Sequence, residues 1–445
     1  MRFYPSHVNV SDQFRAICGQ HTGIAESSLL LTARQANSAN MEVCSANMPN
    51  YQKLFINENV SINHHLSGYG IYLEEAYIRV LGEAIERYAL LFAPVILGSR
   101  LVYRSYKQIQ EVGPSMKWEH MQIYSPEDYE RMKGILRLVD LTEDAPIAWL
   151  PCTRLFQPDE QIFMPAQLLF TGYAPSERER DVLFVTGLSK GTACHTDRET
   201  ALLSAMMESV EAHCFMIHWY TDYKSREIII DDLRFQSMLQ DILGASGMEA
   251  TFYEYSLPDM PGHTVTTVLK NSRKDRPLIV VGCQSGLNPY KVIYRSLLEA
   301  LAIYYLARNG PLMIPQDYLL RASDADNFSN LDANVAFYAF TDHADEKLAI
   351  FTDKASGHVP LSALQDYSGS TASEFKYVWG TLRERSTDAV VLDITPPEVA
   401  QKGYTVMRTF FPELVQLCLP SFPFTKHPAI LQYGGITNEY PHPVP

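Results

Sequence analysis

Cysteine is sparse and unpatterned in this chain of 445 residues. Cys18, Cys44, Cys152, Cys194, Cys214, Cys283 and Cys418 include no CxxC pair. An odd, scattered set argues against a disulfide framework and for reduced thiols in a cytosolic setting. The opening Met1-Arg2-Phe3-Tyr4-Pro5-Ser6-His7 has no apolar core of the kind a signal peptide carries. Long hydrophobic runs are missing; the longest, Tyr88 to Leu97, contains Pro94 and is too short to span a bilayer. Basic clusters are also lacking, and a formal net charge of −14 disfavours a nucleic-acid partner. Familiar nucleotide and catalytic signatures are absent: no GxxxxGK[ST], no HRD/DFG set, no HExxH, no GxSxG, and no third glycine after Gly68-Tyr69-Gly70. His213 and His218 are five apart and share no helical face, and Cys194-His195 stands alone, so zinc is not expected. Any nucleotide site must be built from carboxylates on helices.

A hydrophobic content of 46% is enough to bury a substantial core. Strand-like runs are expected at Ala148–Phe156, Gln161–Phe170, Ala250–Ser256, His263–Lys270 and Pro277–Cys283. Helical periodicity is expected over Tyr72–Phe92, Arg198–Tyr220 and Tyr290–Ala307. Strands in groups, interrupted by a few long helices, indicate an α+β architecture. Two helices share one design: Gly68-Tyr69-Gly70 precedes Glu83-Ala84-Ile85-Glu86, and Gly187-Leu188-Ser189-Lys190-Gly191 precedes Glu208-Ser209-Val210-Glu211. That hints at an internal duplication. Ala322 to Asp353 reads as polar and irregular. Pro441-His442-Pro443-Val444-Pro445 is expected to be extended, because alternating prolines forbid helix and ladder pairing.

The helix from Arg198 to Tyr220 is apolar around most of its circumference, leaving one narrow stripe with Ser204, Glu208, Glu211 and His218. Burying two glutamates there unpaired would cost several kcal/mol. Something cationic must face them: Mg²⁺ with a nucleotide's phosphates, or ordinary salt bridges to Arg or Lys. On the helix from Tyr290, Lys291, Arg295 and Glu299 fall on one stripe; Arg295 could clamp phosphate, or simply pair with Glu299 at i,i+4. On the first helix, Arg79, Glu83, Glu86 and Arg87 lie off the apolar arc and read by pattern as a solvated face.

These motifs together resemble the YcaO family. Ser67-Gly68-Tyr69-Gly70 followed by Glu83-Ala84-Ile85-Glu86-Arg87 is similar to its S-G-x-G turn and E-x-x-E-R. Glu208-Ser209-Val210-Glu211 resembles its second signature, and Gly286-Leu287-Asn288-Pro289 followed by Arg295 and Glu299 its third. Departures are Ala212 in place of an arginine, Arg79 in place of a serine, Ser204 in place of a glutamine, and an upstream acidic position where Glu199 lies beside Thr200.

The resemblance implies a fold of mixed and antiparallel sheets with long buried helices. It divides the chain into an extension over 1–66 packed on the core, an ATP-binding domain over 67–435 and a proline-rich tail over 436–445. It implies ATP and Mg²⁺, with Glu83, Glu86, Glu208 and Glu211 as metal ligands. Ser67, Arg87, Glu199, Arg295 and Glu299 would add nucleotide contacts, and Arg295 would neutralise charge in flight. The layout resembles that of the stand-alone cyclodehydratase subunits of the microcin B17 type, which implies forming azolines from Cys, Ser or Thr of a precursor peptide. The carboxylate of Pro445 would then act as a proton acceptor. A leader-binding E1-like subunit and a flavin-dependent azoline dehydrogenase would be the partners; thioamide or amidine formation and a non-catalytic scaffold are the alternatives.

Overall fold

The computed structural model describes residues 12–13, 15–19, 23–26, 30–32, 38–55, 65–133, 135–313 and 331–445. Three sheets organise them. The first is antiparallel, β1 (Leu30–Thr32), β2 (Glu42–Asn47) and β3 (His65–Gly70), with β3 at one edge. In the second, β4 (Val102–Arg104), β5 (Ile147–Arg154), β13 (Val390–Asp393), β14 (Thr405–Phe410) and β7 (Thr192–His195) follow one another in space. A further strand, β6 (Gln161–Pro165), pairs with β5. The third runs β11 (Ile279–Gly286), β10 (His263–Asn271), β9 (Met248–Glu254), β8 (Ser225–Ile229) and β12 (Ala355–Pro360), and only the β8–β12 pair is parallel.

Three long helices join these sheets: α1 (Leu73–Leu97), α2 (Arg198–Tyr220) and α3 (Pro289–Met313). Each directly follows an edge strand, β3, β7 and β11 respectively. Each packs on the strand it follows and also on another edge strand: α1 on β7, α2 on β11 and α3 on β3. The contacts close a ring of three strand–turn–helix units, one more than the duplication hinted at in the sequence.

Why α2 is apolar on nearly all sides is now plain. It lies between the second sheet, touching β7 and β14, and the third, touching β10 and β11. Every residue from Ser209 to Tyr220 is buried. Asp197 starts the helix by accepting the Thr200 backbone N–H at 2.8 Å. At the other end Lys354 Nζ donates to the carbonyls of His218, Trp219 and Thr221 at 2.9, 2.7 and 2.8 Å, satisfying acceptors that a helix terminus leaves without partners. His213 and His218 on this helix are core groups, and burial holds them neutral, down to about 3 and about 4.

Two expectations from the sequence need correction. The run Gln161–Phe170 is a strand only to Pro165; Ala166–Leu169 then forms a short helix. The stretch 322–353 is not irregular throughout. Its part before 331 lies outside the described residues, but α4 (Leu331–Ala339) and α5 (Ala344–Thr352) follow. The apolar Val335, Ala336, Phe337, Tyr338 and Ala339 are all buried.

Those helices seat the chain's last residues. Asn334 Nδ2 donates to the carbonyls of His442 and Val444 at 2.6 and 2.8 Å, and Tyr338 donates to Pro441 at 2.6 Å. Trp219 Nε1 donates to the Tyr440 carbonyl at 3.0 Å. The tail from Pro441 has no regular structure, and Pro441 through Val444 are buried while Pro445 is half-buried.

Strand and helix meet most closely in the third unit. A Cβ on Gly282 would stand 2.5 Å from both the Ser296 carbonyl oxygen and the Ala300 nitrogen, atoms of α3's own backbone. Gly282→Ala is therefore expected to destabilise the protein by about 1–3 kcal/mol by forcing α3 off β11. Urea unfolding measures this, and an unchanged midpoint would contradict the packing described.

Candidate functional site

An edge strand presents N–H groups on the side that has no neighbouring strand, and buried N–H groups need acceptors. Here the following helix supplies them. Ser67 N donates to Glu83 at 3.1 Å, Gly191 N to Glu208 at 3.2 Å and Cys283 N to Glu299 at 3.1 Å. Donor and acceptor are 16, 17 and 16 residues apart, so the three units repeat one device. Glu299 also accepts from Gln284 Nε2 at 2.9 Å.

One helical turn further on, a second carboxylate turns toward the next edge. Glu211 of α2 accepts the Ser285 N–H of β11 at 2.8 Å. Glu86 of α1 faces β7, where it acts on Cys194; burial first and then Glu86 push that thiol up to about 12. The equivalent position on α3 is Ala302, so the third junction lacks the second acid.

Positive charge enters from the turn before β7. Lys190 Nζ lies 2.6 Å from Glu211 Oε1. Gly191 beside it adopts φ +89, and a Cβ there would meet the Thr409 carbonyl oxygen at 2.6 Å. Arg408 braces the turn from β14. Its guanidinium donates to Thr192 Oγ1 at 2.7 Å and to the carbonyls of Leu188 and Ser189 at 2.9 and 3.2 Å. Burial lowers Arg408 to about 10, opposed by Glu86 and Glu208. Arg87 stands 3.7 Å from Glu83.

The carboxylates feel one another. Glu86 is pushed well above the usual range, by burial and then by Glu208. Burial also raises Glu208, with Lys190 opposing and Glu211 adding to the rise. Glu299 is raised to about 7 by burial and Glu211, against the pull of Lys190. No hydrogen bond or ion pair reaches Glu86 among the described residues. A half-buried acid left in this state is the observation that favours a cation ligand. No group of three or more His, Cys, Asp or Glu side chains is placed to hold a metal ion by itself among the described residues. Mg²⁺ bound together with a nucleotide takes one or two carboxylates and completes its shell with phosphate oxygens and water.

The structure thus gathers Ser67, Glu83, Glu86, Arg87, Glu208, Glu211 and Glu299 around one place. The outer face of α1 is not a solvated surface, since Glu86 is drawn in against β7. Arg295 does not pair with Glu299, whose partners are Cys283 and Gln284. Instead Arg295 is half-buried and lies near Tyr69 of β3. Burial and Glu299 push that hydroxyl up, while Arg79 and Arg295 oppose the rise. Glu199 is exposed in the first turn of α2, nine residues before Glu208, and no hydrogen bond or ion pair joins it to the cluster among the described residues. For Glu211 the salt-bridge alternative is realised, through Lys190. Pattern reading passed over Lys190, Gln284 and Arg408. Lys190 alone left a signal, as the charged residue inside the Gly187–Gly191 turn.

Three sheet edges, each answered by a glutamate of the helix that follows, define the class of fold. A family model described as YcaO cyclodehydratase, ATP- and Mg²⁺-binding, matches residues 67–415. The chain belongs to the YcaO family, and ATP and Mg²⁺ are the ligands that membership assigns to it. Solved structures share the fold. One is a heterocyclase in complex with substrate and cofactor, at 17% identity and a TM-score of 0.73. The alignment covers 98% of this chain but only 57% of that one, so this chain spans little more than half of that heterocyclase. YcaO from Methanopyrus kandleri bound with AMPPCP and Mg²⁺ aligns at 13% identity and a TM-score of 0.61, covering 93% of this chain and 92% of that one. The E. coli microcin synthetase McbBCD complex contains a chain at 14% identity and a TM-score of 0.57, with the same coverages. No curated protein matches the chain. No helix among the described residues is long and apolar enough to cross a membrane.

The shift on Glu299 has a consequence for stability. An acid raised in the folded state binds more protons there than in the unfolded chain, so its ionisation opposes folding as pH rises. The stability gained by Glu299→Gln over the wild type should therefore grow from about pH 4.5 to about pH 7 and level off above. Paired thermal melts of the ligand-free proteins across that range test it; a difference flat in pH would contradict the assignment.

Proposed function

We propose that this chain is an ATP-dependent peptide cyclodehydratase that converts Cys, Ser or Thr of a ribosomally made precursor peptide into thiazoline or oxazoline rings. The observation that supports it most directly is the pair of acids on each of two helices, Glu83/Glu86 and Glu208/Glu211, gathered around a site that needs positive charge. Mg²⁺-bound ATP supplies the phosphoryl group that makes an amide oxygen a leaving group, so that ring closure amounts to loss of water.

The four glutamates would hold the metal ions, with Ser67, Arg87 and Glu299 fixing their orientation through the edge N–H groups and neighbouring charges. Arg295, free of Glu299, would meet phosphate oxygens and stabilise charge as it develops. Glu199, at the exposed start of α2, would contribute only if nucleotide extends that far. A leader-binding E1-like subunit and a flavin-dependent azoline dehydrogenase are the partners this reading implies; the likeness to a component of the microcin synthetase complex supports it. A second reading, a nucleotide-binding subunit without turnover, draws support from Lys190, which ties up Glu211.

The test is incubation with ATP, Mg²⁺, the candidate partners and a precursor peptide encoded beside this chain, following phosphate release and peptide mass. Loss of one water per ring with phosphate release is expected. Glu86→Gln and Glu208→Gln should each lower the rate on the order of 100-fold. Exchange of oxygen for sulfur would replace the azoline reading by thioamide formation, and absence of phosphate release with all partners present would favour the scaffold.

The tail carries its own expectation. Asn334, Tyr338 and Trp219 hold the segment from Tyr440 to Val444, which supports an ordered tail, and the carboxylate of Pro445 would accept a proton. Adding several residues after Pro445 is expected to abolish ring formation while nucleotide binding, measured by calorimetry, persists. Full activity in the extended protein would remove the tail from the reaction.

A further inference from the structure

Glu211 is 7% exposed, and both of its oxygens are engaged, one by Lys190 Nζ at 2.6 Å and the other by the Ser285 N–H at 2.8 Å. Lys190 answers more than this one acid. Burial alone would lower its pKa, yet Glu211, Glu208 and Glu299 together raise it well above its ordinary value. One ammonium therefore compensates three carboxylates from two helices. Its backbone is fixed, because Gly191 is wedged against Thr409 and Arg408 grips the carbonyls of Leu188 and Ser189. The side chain is less constrained: a four-carbon stem, 24% exposed, carrying a compact charge that can reorient. A divalent ion cannot share Glu211 Oε1 with an ammonium already in contact with it, since two cations at that separation repel strongly in a poorly solvated site.

We propose that Lys190 and Mg²⁺ compete for Glu211: Lys190 is the resident counter-ion of the nucleotide-free site and passes to the phosphate oxygens when Mg²⁺ enters with nucleotide. This rests on the reading of the site as one for Mg²⁺ and nucleotide, and assigns Lys190 a place in it. The protein alone then has little affinity for Mg²⁺. Metal and nucleotide bind together, because the phosphates give the displaced ammonium somewhere to go. The salt bridge that supports a scaffold without turnover becomes, on this account, the closed state of a working site.

Calorimetric titration of Mg²⁺ into the full chain, with and without AMPPCP, tests this without reference to ring formation. The wild type is expected to bind Mg²⁺ weakly alone and at least about tenfold more tightly with AMPPCP present. Lys190→Met should bind Mg²⁺ alone about tenfold or more tightly than the wild type, gain thermal stability on adding Mg²⁺, and lose affinity for AMPPCP. Adding Glu211→Gln to Lys190→Met should remove the gained Mg²⁺ affinity. Wild-type Mg²⁺ binding that is equally tight with and without AMPPCP overturns the proposal even if Lys190→Met does not fold. So does a folded Lys190→Met whose Mg²⁺ affinity is that of the wild type. If Mg²⁺–AMPPCP does not bind the wild type at all, the nucleotide reading itself fails, and this inference with it.

Discussion

The unpaired N–H groups of three sheet edges are the constraint from which the site follows. β3, β7 and β11 each end a sheet, and each is covered by the helix that comes next rather than by another strand. A glutamate is long enough to reach from the helix to the edge and accept the N–H, so one acid in each unit is fixed by the backbone's need for a partner. Because the three helices close a ring with the three edges, those acids converge, and the second acids of α1 and α2 add to them. Negative charge collects at the centre of the fold as a consequence of satisfying backbone donors.

Such a gathering is stable only if it is answered by cations or protons. The structure uses both: Lys190 and Arg87 stand against the carboxylates, Arg408 braces the turn beneath, and Glu86 and Glu299 hold protons more tightly than free acids do. On the proposed reading, the same unmet charge that costs stability would be what a metal–nucleotide ligand binds. Stability and binding are therefore opposed here, as in many sites that assemble like charges.

The far end of α2 shows a different economy. Its carbonyls are closed off by Lys354, its indole and last carbonyls are shared with residues 437–440, and α4 contributes Asn334 to hold His442 and Val444. A proline-rich segment has few donors of its own, so it is held through its carbonyls by side chains from the core. One helix thus supports the carboxylates at its middle and the tail at its end, linking two parts of the molecule distant in sequence.

Much of this was legible without coordinates. The all-round apolar character of Arg198–Tyr220 announced a buried helix enclosing Glu208 and Glu211, and the alternating prolines excluded helix and ladder from 441 to 445; these are local patterns, set by spacing along the chain. The short helix after Pro165 and the helices α4 and α5 were missed because their packing, not their periodicity, defines them. Solvated or enclosed, the outer face of α1 looks the same in a helical projection. Only the placement of β7 against it decides that Glu86 is drawn inward. Likewise Glu211 meets Ser285 across 74 residues, and Lys190 meets Glu211 across 21. Residue type and periodicity determined the three long helices and which acids they carry; the closing of three edges into a ring decided what those acids face, because the field at a carboxylate is set by neighbours in space and not by neighbours in the chain.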